Sequence, residues 1–515
     1  MNLILTKIKD LLNNVKESGK RFPLSICYVA LLSCIGIYQI LSETEYIKLS
    51  LAVLVGGLLA FLCELAFEYE IHRFRYLSLS SILGTILVFL LLKAYDNIYV
   101  HTAIGGIIIA IISLMAYVLY KKRSQKNLLS YLIKSGFIVE IFAGIVMAGV
   151  GVCISALHFL IYNFSDIWKI YGIAAILING AFSIILFMSY IPKPADEIET
   201  PAIYRTIIHK ALFYIYLVLI GILYLYIIKI IITWKMPVGK LNWFGCFALL
   251  FYVLFYLTVD EYDGKPQELF HRYGAYLLIP ILTIQLYAIG IRLAAYGLTT
   301  ARFLSLILIV IAVSFMVVSI FKKSPKYNFI FIAVLAILVT CTKFNIYDVP
   351  NRNQEQRLKN ALSAGGALTN EILDDSVELS PEYLETVKSA YEYLAYSNGT
   401  KSEFYEKFTK SKIAESFDTY YDEHTQYFSY TIPDITDFDI SEYKTISYVD
   451  KDKLESFDID TVIRNLDLNK DEIEYIPVTK LSDNEDILIT YLSFDYDLDE
   501  KEPISFYWEG YLLKK

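Results

Sequence analysis

Ionisable and amide side chains set inside long apolar runs are the first residues of this chain that could do chemistry. Glu64, Glu140, His158 and Arg292 lie within or beside such runs, and Pro280 with Gln285 interrupts another. A charge held in hydrocarbon is costly, so residues of this kind mark either an ion or substrate path or a structural pairing. All four ionisable positions fall within about two turns of the end of their run, where a side chain reaches the headgroups. Snorkelling or helix-to-helix pairing is therefore the preferred reading over transport. Pro280 and Gln285 are more central. A proline plus an amide there makes a kink around a polar cavity or a packing kink, and packing is slightly preferred.

Other clusters carry weaker chemistry. Asp260, Glu261 and Asp263 could hold a divalent metal, but the Gly264 and Pro266 beside them are turn residues. The Asp467-Leu468-Asn469-Lys470-Asp471-Glu472 stretch begins like a calcium loop. That loop needs Gly at its sixth position and Glu at its twelfth, where this chain has Glu472 and Val478. Glu43 and Glu45 sit where polytopic lipid-sugar glycosyltransferases keep an acidic catalytic residue, although those enzymes build a long loop there and this one is short. Asn398-Gly399-Thr400 matches a glycosylation sequon and reads as a helix stop. No phosphate-cradling glycine loop, Ser/His/Asp arrangement or His-Glu metalloprotease motif occurs. The six cysteines lie in or at the edge of apolar runs without disulfide or zinc spacing, and read as packing residues. No metal and no cofactor are expected.

The elements that must position these residues follow from composition. Of 515 residues, 56% are hydrophobic and 19% charged, with a mean hydropathy of +0.47. That balance leans away from a soluble globule and towards a membrane. Apolar runs of bilayer-crossing length recur at 23–41, 47–67, 76–93, 98–120, 135–162, 167–190, 207–232, 242–259, 273–295, 301–321 and 327–344. They predict an α-helical polytopic membrane protein of about eleven transmembrane helices, because ten-residue barrel alternation is absent. The first run has a basic lead but no small-residue cleavage site, and is expected to remain as a helix. Twenty Lys and Arg fall in one set of short loops and seven in the other. This bias predicts a cytoplasmic N-terminus, and an odd helix count then puts the tail outside. Trp234 and Trp243 would anchor an outer loop at the interface.

Beyond Asn345 the character changes. From Ile346 onward there are 17 Lys and Arg against 37 Asp and Glu. A helix over 352–362 with Gly365-Gly366 as its stop, a helix from Ser380-Pro381 to about Tyr396 and a helix over 402–417 precede period-two segments near 427–431, 443–447, 487–494 and 504–513. The domains expected are a helical bundle over 1–344 and an acidic, extracytoplasmic, soluble α+β domain over 345–515.

Arg272-Tyr273-Gly274-Ala275-Tyr276-Leu277-Leu278-Ile279-Pro280, the stretch from Leu286 to Arg292, and Tyr296-Gly297-Leu298-Thr299 with Arg302 form a recognisable set. Together with Met236-Pro237-Val238-Gly239 it resembles bacterial polytopic membrane proteins of the domain of unknown function 4153 family. The resemblance spans roughly 202–344 and extends into Asn353-Gln354-Glu355-Gln356-Arg357-Leu358. It implies a multi-pass architecture in a bacterial cell membrane and transfers no catalytic residue.

Two functions stay open on these grounds. In the first, the bundle carries a sensing or binding domain for an envelope component or a protein partner. In the second, the chain is a transporter or lipid-handling enzyme with a site inside the bundle, drawn from Gln285, Arg292, Glu64, Glu140 and His158. The lipid bilayer is the expected partner in either case. The acidic tail disfavours nucleic acid.

Overall fold

The apolar runs fold as helices, since only a helix pairs every backbone N–H and C=O within one run in lipid. The computed structural model describes residues 16–68, 71–123, 128–193, 210–233, 240–258, 264–369, 372–415, 417, 425–431, 445–450, 463, 479–480, 485–497 and 502–514. The carboxylates of 260–263, the 467–472 stretch and Trp234 lie outside them.

The helices are α1 (Pro23–Ser42), α2 (Ile47–Ala66), α3 (Ile71–Ala94), α4 (Ile98–Lys122), α5 (Leu128–Leu160) and α6 (Ile167–Ser189), then α7 (Phe213–Thr233), α8 (Lys240–Thr258), α9 (Lys265–Tyr296), α10 (Thr300–Ile320) and α11 (Lys326–Cys341). Among the described residues, eight helices are long and apolar enough to cross a membrane. Leu79–Ala94, Asn242–Thr258 and Lys326–Cys341 are shorter apolar helices. Within α6, Ile176–Phe182 is wound as a π-helix. Pro280 lies inside α9. One turn before it, the Leu277 carbonyl accepts a 2.8 Å hydrogen bond from the Tyr224 hydroxyl of α7. This bond ties α7 to α9 beside the proline, whose missing N–H would be the ladder donor to the Tyr276 carbonyl.

Apolar cores hold these helices, two of them large. One joins Phe22, Val55, Leu65, Leu92, Ile104 and Met115; the other is aromatic, with Phe213, Tyr216, Tyr252, Phe255, Phe270 and Phe315. At Gly106 a Cβ would collide with Thr340 of α11, and at Gly56 with Thr85 of α3. Small residues here let helix backbones approach closely, as packing inside a bilayer requires.

The chain packs as two compact units, 1–402 and 403–515. The change of composition falls at Asn345, whereas the change of packing falls after Ser402. The first unit continues past α11 into α12 (Asp348–Ala364), a short antiparallel pair β1 (Leu368–Thr369) and β2 (Ile372–Leu373), and α13 (Pro381–Tyr396). Leu358, Ala361 and Leu362 of α12 and Val387, Ala390 and Leu394 of α13 are buried. As the sequence suggests, α12 stops at Gly365-Gly366, the latter with φ +81°.

The second unit opens with α14 (Glu403–Phe408) and α15 (Lys412–Glu415). One helix over 402–417 is expected from the apolar spacing, but the helix breaks at 409–411. There the Ser411 hydroxyl accepts a hydrogen bond from Ala414 N and starts a new turn. A small antiparallel β region follows, built from β3 (Thr425–Thr431), β4 (Thr445–Asp450), β5 (Thr479–Lys480), β6 (Glu485–Asp497) and β7 (Glu502–Lys514). The order is β3-β6-β7-β4, with β5 also on β6. The β6–β7 register shifts between Ile489 and Tyr491, a bulge that increases local twist.

Candidate functional site

The five side chains singled out in the sequence lie in separate surroundings. Glu64, at the end of α2, is buried; its carboxylate accepts hydrogen bonds from Leu24 N at 2.7 Å, Ser25 N at 3.2 Å and the Ser25 hydroxyl. Those amides belong to the first turn of α1, so the carboxylate at the end of α2 caps the N-terminus of the preceding helix. Glu140 is exposed on α5 among the exposed Phe137, Ile141 and Phe142. His158 closes the end of α5, its Nδ1 accepting from Phe164 N at 3.0 Å. Gln285 is fully buried and donates to Asn242 Oδ1 at 3.3 Å and Cys246 Sγ at 3.4 Å, while Asn242 donates to Ser305 at 2.9 Å. A Cβ at Gly245 would stand 2.6 Å from Gln285 Oε1, so this glycine makes room for the amide. Arg292 is half-buried on α9, one turn before Tyr296. Gln285 and Arg292 share α9, Glu140 and His158 share α5, and Glu64 stands on α2.

The residues that do converge belong to the 295–300 turn and to α12 and α13. Gly297 has φ +66° and ψ −176°, a backbone region essentially closed to residues with a Cβ. A Cβ there would also stand 2.8 Å from Gln354 Nε2 and 3.1 Å from Asn353 Oδ1. This glycine lets α12 descend onto the turn. Gln354, buried, donates to the carbonyls of Tyr296 (2.8 Å) and Leu298 (3.1 Å), and Asn353 Oδ1 accepts from Leu298 N at 2.6 Å. Arg357 donates to the Ala295 carbonyl at 3.0 Å and to Ser389 Oγ at 2.9 Å. Burial pushes its guanidinium down from the ordinary value. From α10, Arg302 donates to the Gly297 carbonyl at 2.5 Å and lies 5.7 Å from the centre of the Tyr296 ring. Tyr393 of α13 completes the lock, its hydroxyl accepting from Thr300 N at 3.1 Å.

A second seam joins the start of α4 to the same two helices. The Tyr99 hydroxyl donates to Asp348 Oδ1 at 2.6 Å and accepts from Thr400 N at 2.5 Å. Asn345 Oδ1 accepts from Tyr347 N and Asp348 N and so starts α12. Asn351 donates to the Asn398 carbonyl at 3.2 Å, next to Gly399 at φ +125°. The Asn398-Gly399-Thr400 sequon is thus part of this seam. Lys401 closes the C-terminus of α13 through the Leu394 and Ser397 carbonyls, and burial pushes its ammonium down. Two open clefts flank α13. One, of about 390 Å³, is lined by Ala295, Gly297, Arg357, Asn360, Glu382 and Thr386, among others. The other, of about 510 Å³, is lined by Thr300, Tyr347, Glu392, Tyr393, Tyr396 and Asn398, among others.

Sequence spacing gave no sign of a third cluster, at the far end of α4. Glu68 receives Arg21 Nε at 2.7 Å and Arg123 Nη2 at 2.7 Å, and all three side chains are largely or wholly buried. Arg21 also reaches the Ile191 carbonyl at 2.8 Å, and Arg123 the Pro192 carbonyl. One carboxylate between two guanidiniums thus ties the lead into α1, the ends of α2 and α4, and the exit from α6.

A stack of apolar helices whose connecting turns are locked by polar seams defines a multi-pass helical membrane protein. The chain belongs to the family described as a domain of unknown function, DUF4153, which matches residues 26–390. That match runs through the bundle, α12 and most of α13. No curated protein and no solved structure matches the chain.

Proposed function

We propose that the bundle is a scaffold that holds a binding platform at one membrane surface for an envelope component or a protein partner. The observation that supports this best is the double seam on α12 and α13, which fixes them to three bundle helices and leaves a cleft on either side. A platform held so firmly can present ligand groups without an ordering cost on binding. Counting the three shorter apolar helices as spans gives eleven. That count and the loop charge bias together favour an N-terminus in the cytoplasm, with the platform and the acidic 403–515 unit outside, the latter as a soluble sensing domain. The aromatic lining of the 510 Å³ cleft suits recognition by stacking.

One preparation tests both halves of this reading. Protease added to intact protoplasts should release the tail, and the full chain in lipid nanodiscs should bind solubilised envelope material saturably. Protection of the tail until lysis, or binding no greater than that of empty nanodiscs, would sink it.

A second reading has its own support. The Gln285 Oε1 atom is buried and has no hydrogen-bond partner among the described residues, which favours a working polar site between α8, α9 and α10 in a transporter or lipid-handling enzyme. A transport or lipid phenotype lost in Gln285→Leu, with folded protein retained, would favour it over the scaffold.

A further inference from the structure

Three guanidiniums gather at the 295–300 turn. Arg292 is on the last turns of α9, Arg302 on the first turn of α10 and Arg357 midway along α12. Arg302 and Arg357 each bond to a carbonyl of this one turn, and Arg292 and Arg357 lie near enough to oppose the charge on Arg302. Among the described residues, none of the three is in an ion pair, whereas Arg21 and Arg123 share Glu68. Half-buried cations gathered without a counter-charge are costly, and an anion brought from outside relieves the repulsion.

The hydrogen bonds also leave capacity. Arg302 uses Nη1 on the Tyr296 and Gly297 carbonyls, and Arg357 uses its two Nη atoms. A guanidinium carries five N–H donors, so Nε and Nη2 of Arg302 and Nε of Arg357 remain for a ligand. Both guanidiniums are pinned by carbonyls of the turn, so their remaining donors are held in place, which suits recognition of phosphate. Arg357 and Gly297 line the 390 Å³ cleft, which has room for a headgroup.

From these observations we propose that this cleft binds a phosphate-bearing group, with Arg357 of its lining as the ligand and with Arg302, bonded to the lining residue Gly297, and Arg292 adding charge. The ligand has two possible sources, a lipid headgroup or a free phosphate, and the lining favours the lipid. Ala294 and Ala295 belong to the cleft, and the exposed Tyr287 and Ile291 continue the Ala295 face down α9, an apolar track for acyl chains. Glu382, on the α13 wall, limits how much negative charge the cleft accepts and favours one phosphate over several. The site is distinct from whatever the 403–515 unit binds, and it stands for either orientation in the membrane.

The test uses the full chain, purified in detergent and stripped of lipid, with its thermal midpoint followed on titration. Dioleoyl phosphatidylglycerol in mixed micelles should raise Tm saturably, and dioleoylglycerol, with the same tails and no phosphate, should not. Arg357→Gln should raise the half-saturating lipid concentration about tenfold, the equivalent of one lost charged hydrogen bond. Arg292→Gln, which removes charge without breaking a hydrogen bond to the turn, should raise it by a smaller factor and serves if the first variant does not fold. Inorganic phosphate producing the same arginine-dependent shift would keep the site and assign it to a soluble phosphate. Equal shifts from dioleoylglycerol, or titrations unchanged in both variants, would overturn the proposal.

Discussion

The two ends of α4 handle buried arginine in opposite ways. At the Arg123 end, two guanidiniums close on one carboxylate, Glu68, and the ring is completed by backbone carbonyls. Near the Tyr99 end three guanidiniums gather beside an open cleft, two of them held by carbonyls and a hydroxyl, and among the described residues none is paired with a carboxylate. The first arrangement has a counter-ion inside it, one carboxylate shared by two guanidiniums, and serves to hold four chain segments together. The second is fixed in shape and incomplete in charge. Arginine near a membrane surface is therefore a poor guide to function by itself; the presence or absence of its counter-ion separates a rivet from a receptor.

The comparison is most sharply broken at Glu68. Glu68→Gln leaves two buried guanidiniums facing a neutral amide, and loss of one partner from a buried ion pair typically costs about 3–5 kcal/mol. Thermal unfolding of the full chain in detergent should show a large drop in Tm. A drop no larger than that of a surface substitution would show that the triad is not a structural tie. Gly297→Ala probes the other end. Strain at a glycine-only conformation costs about 1–3 kcal/mol, and the added methyl also presses on Gln354. The expected result is a moderate loss of stability with weakened lipid binding, and unchanged values of both would mean the turn can relax.

The smallest effect belongs to an exposed pair. Lys48, by a hydrogen bond, and then His101 hold the Asp96 carboxyl below its ordinary value. A depressed carboxylate stabilises the fold above its unfolded value, and the contribution is lost as pH falls through the folded one. Wild type should therefore melt slightly above Asp96→Asn near neutrality, and the gap should close in acid and in high salt. A gap that widened on acidification would contradict this sign.

Much of the helical architecture was legible because the bilayer leaves one solution for a long apolar run. Predicted runs such as 98–120 and 301–321 correspond closely to Ile98–Lys122 and Thr300–Ile320. Tyr296-Gly297-Leu298-Thr299 stood out as part of a resemblance, and the structure supplies its physical reason in the Gly297 backbone and the approach of Gln354. The pairings were not legible. Glu64 caps a helix some 40 residues earlier in the chain, and Glu68 meets Arg21 and Arg123 at separations of 47 and 55. Local spacing carries no trace of partners so distant, so Arg21 and Arg123 read as loop charges facing water. The Asn345 step was visible because apolar residues run out there, yet α12 and α13 hold to the bundle through polar contacts, which leave no mark on hydropathy.

The Tyr99 seam has a consequence for the order in which the protein is made. Its partners, Asp348 and Thr400, follow it by 249 and 301 residues. Chains emerge from the ribosome N-terminus first, so α4 is synthesised and inserted long before anything can close over its end. The early helices must stay associated through their own apolar contacts during that interval, with the hydroxyl of Tyr99 meeting water or headgroups. A chain released before residue 400 would carry every apolar helix and still lack its latch.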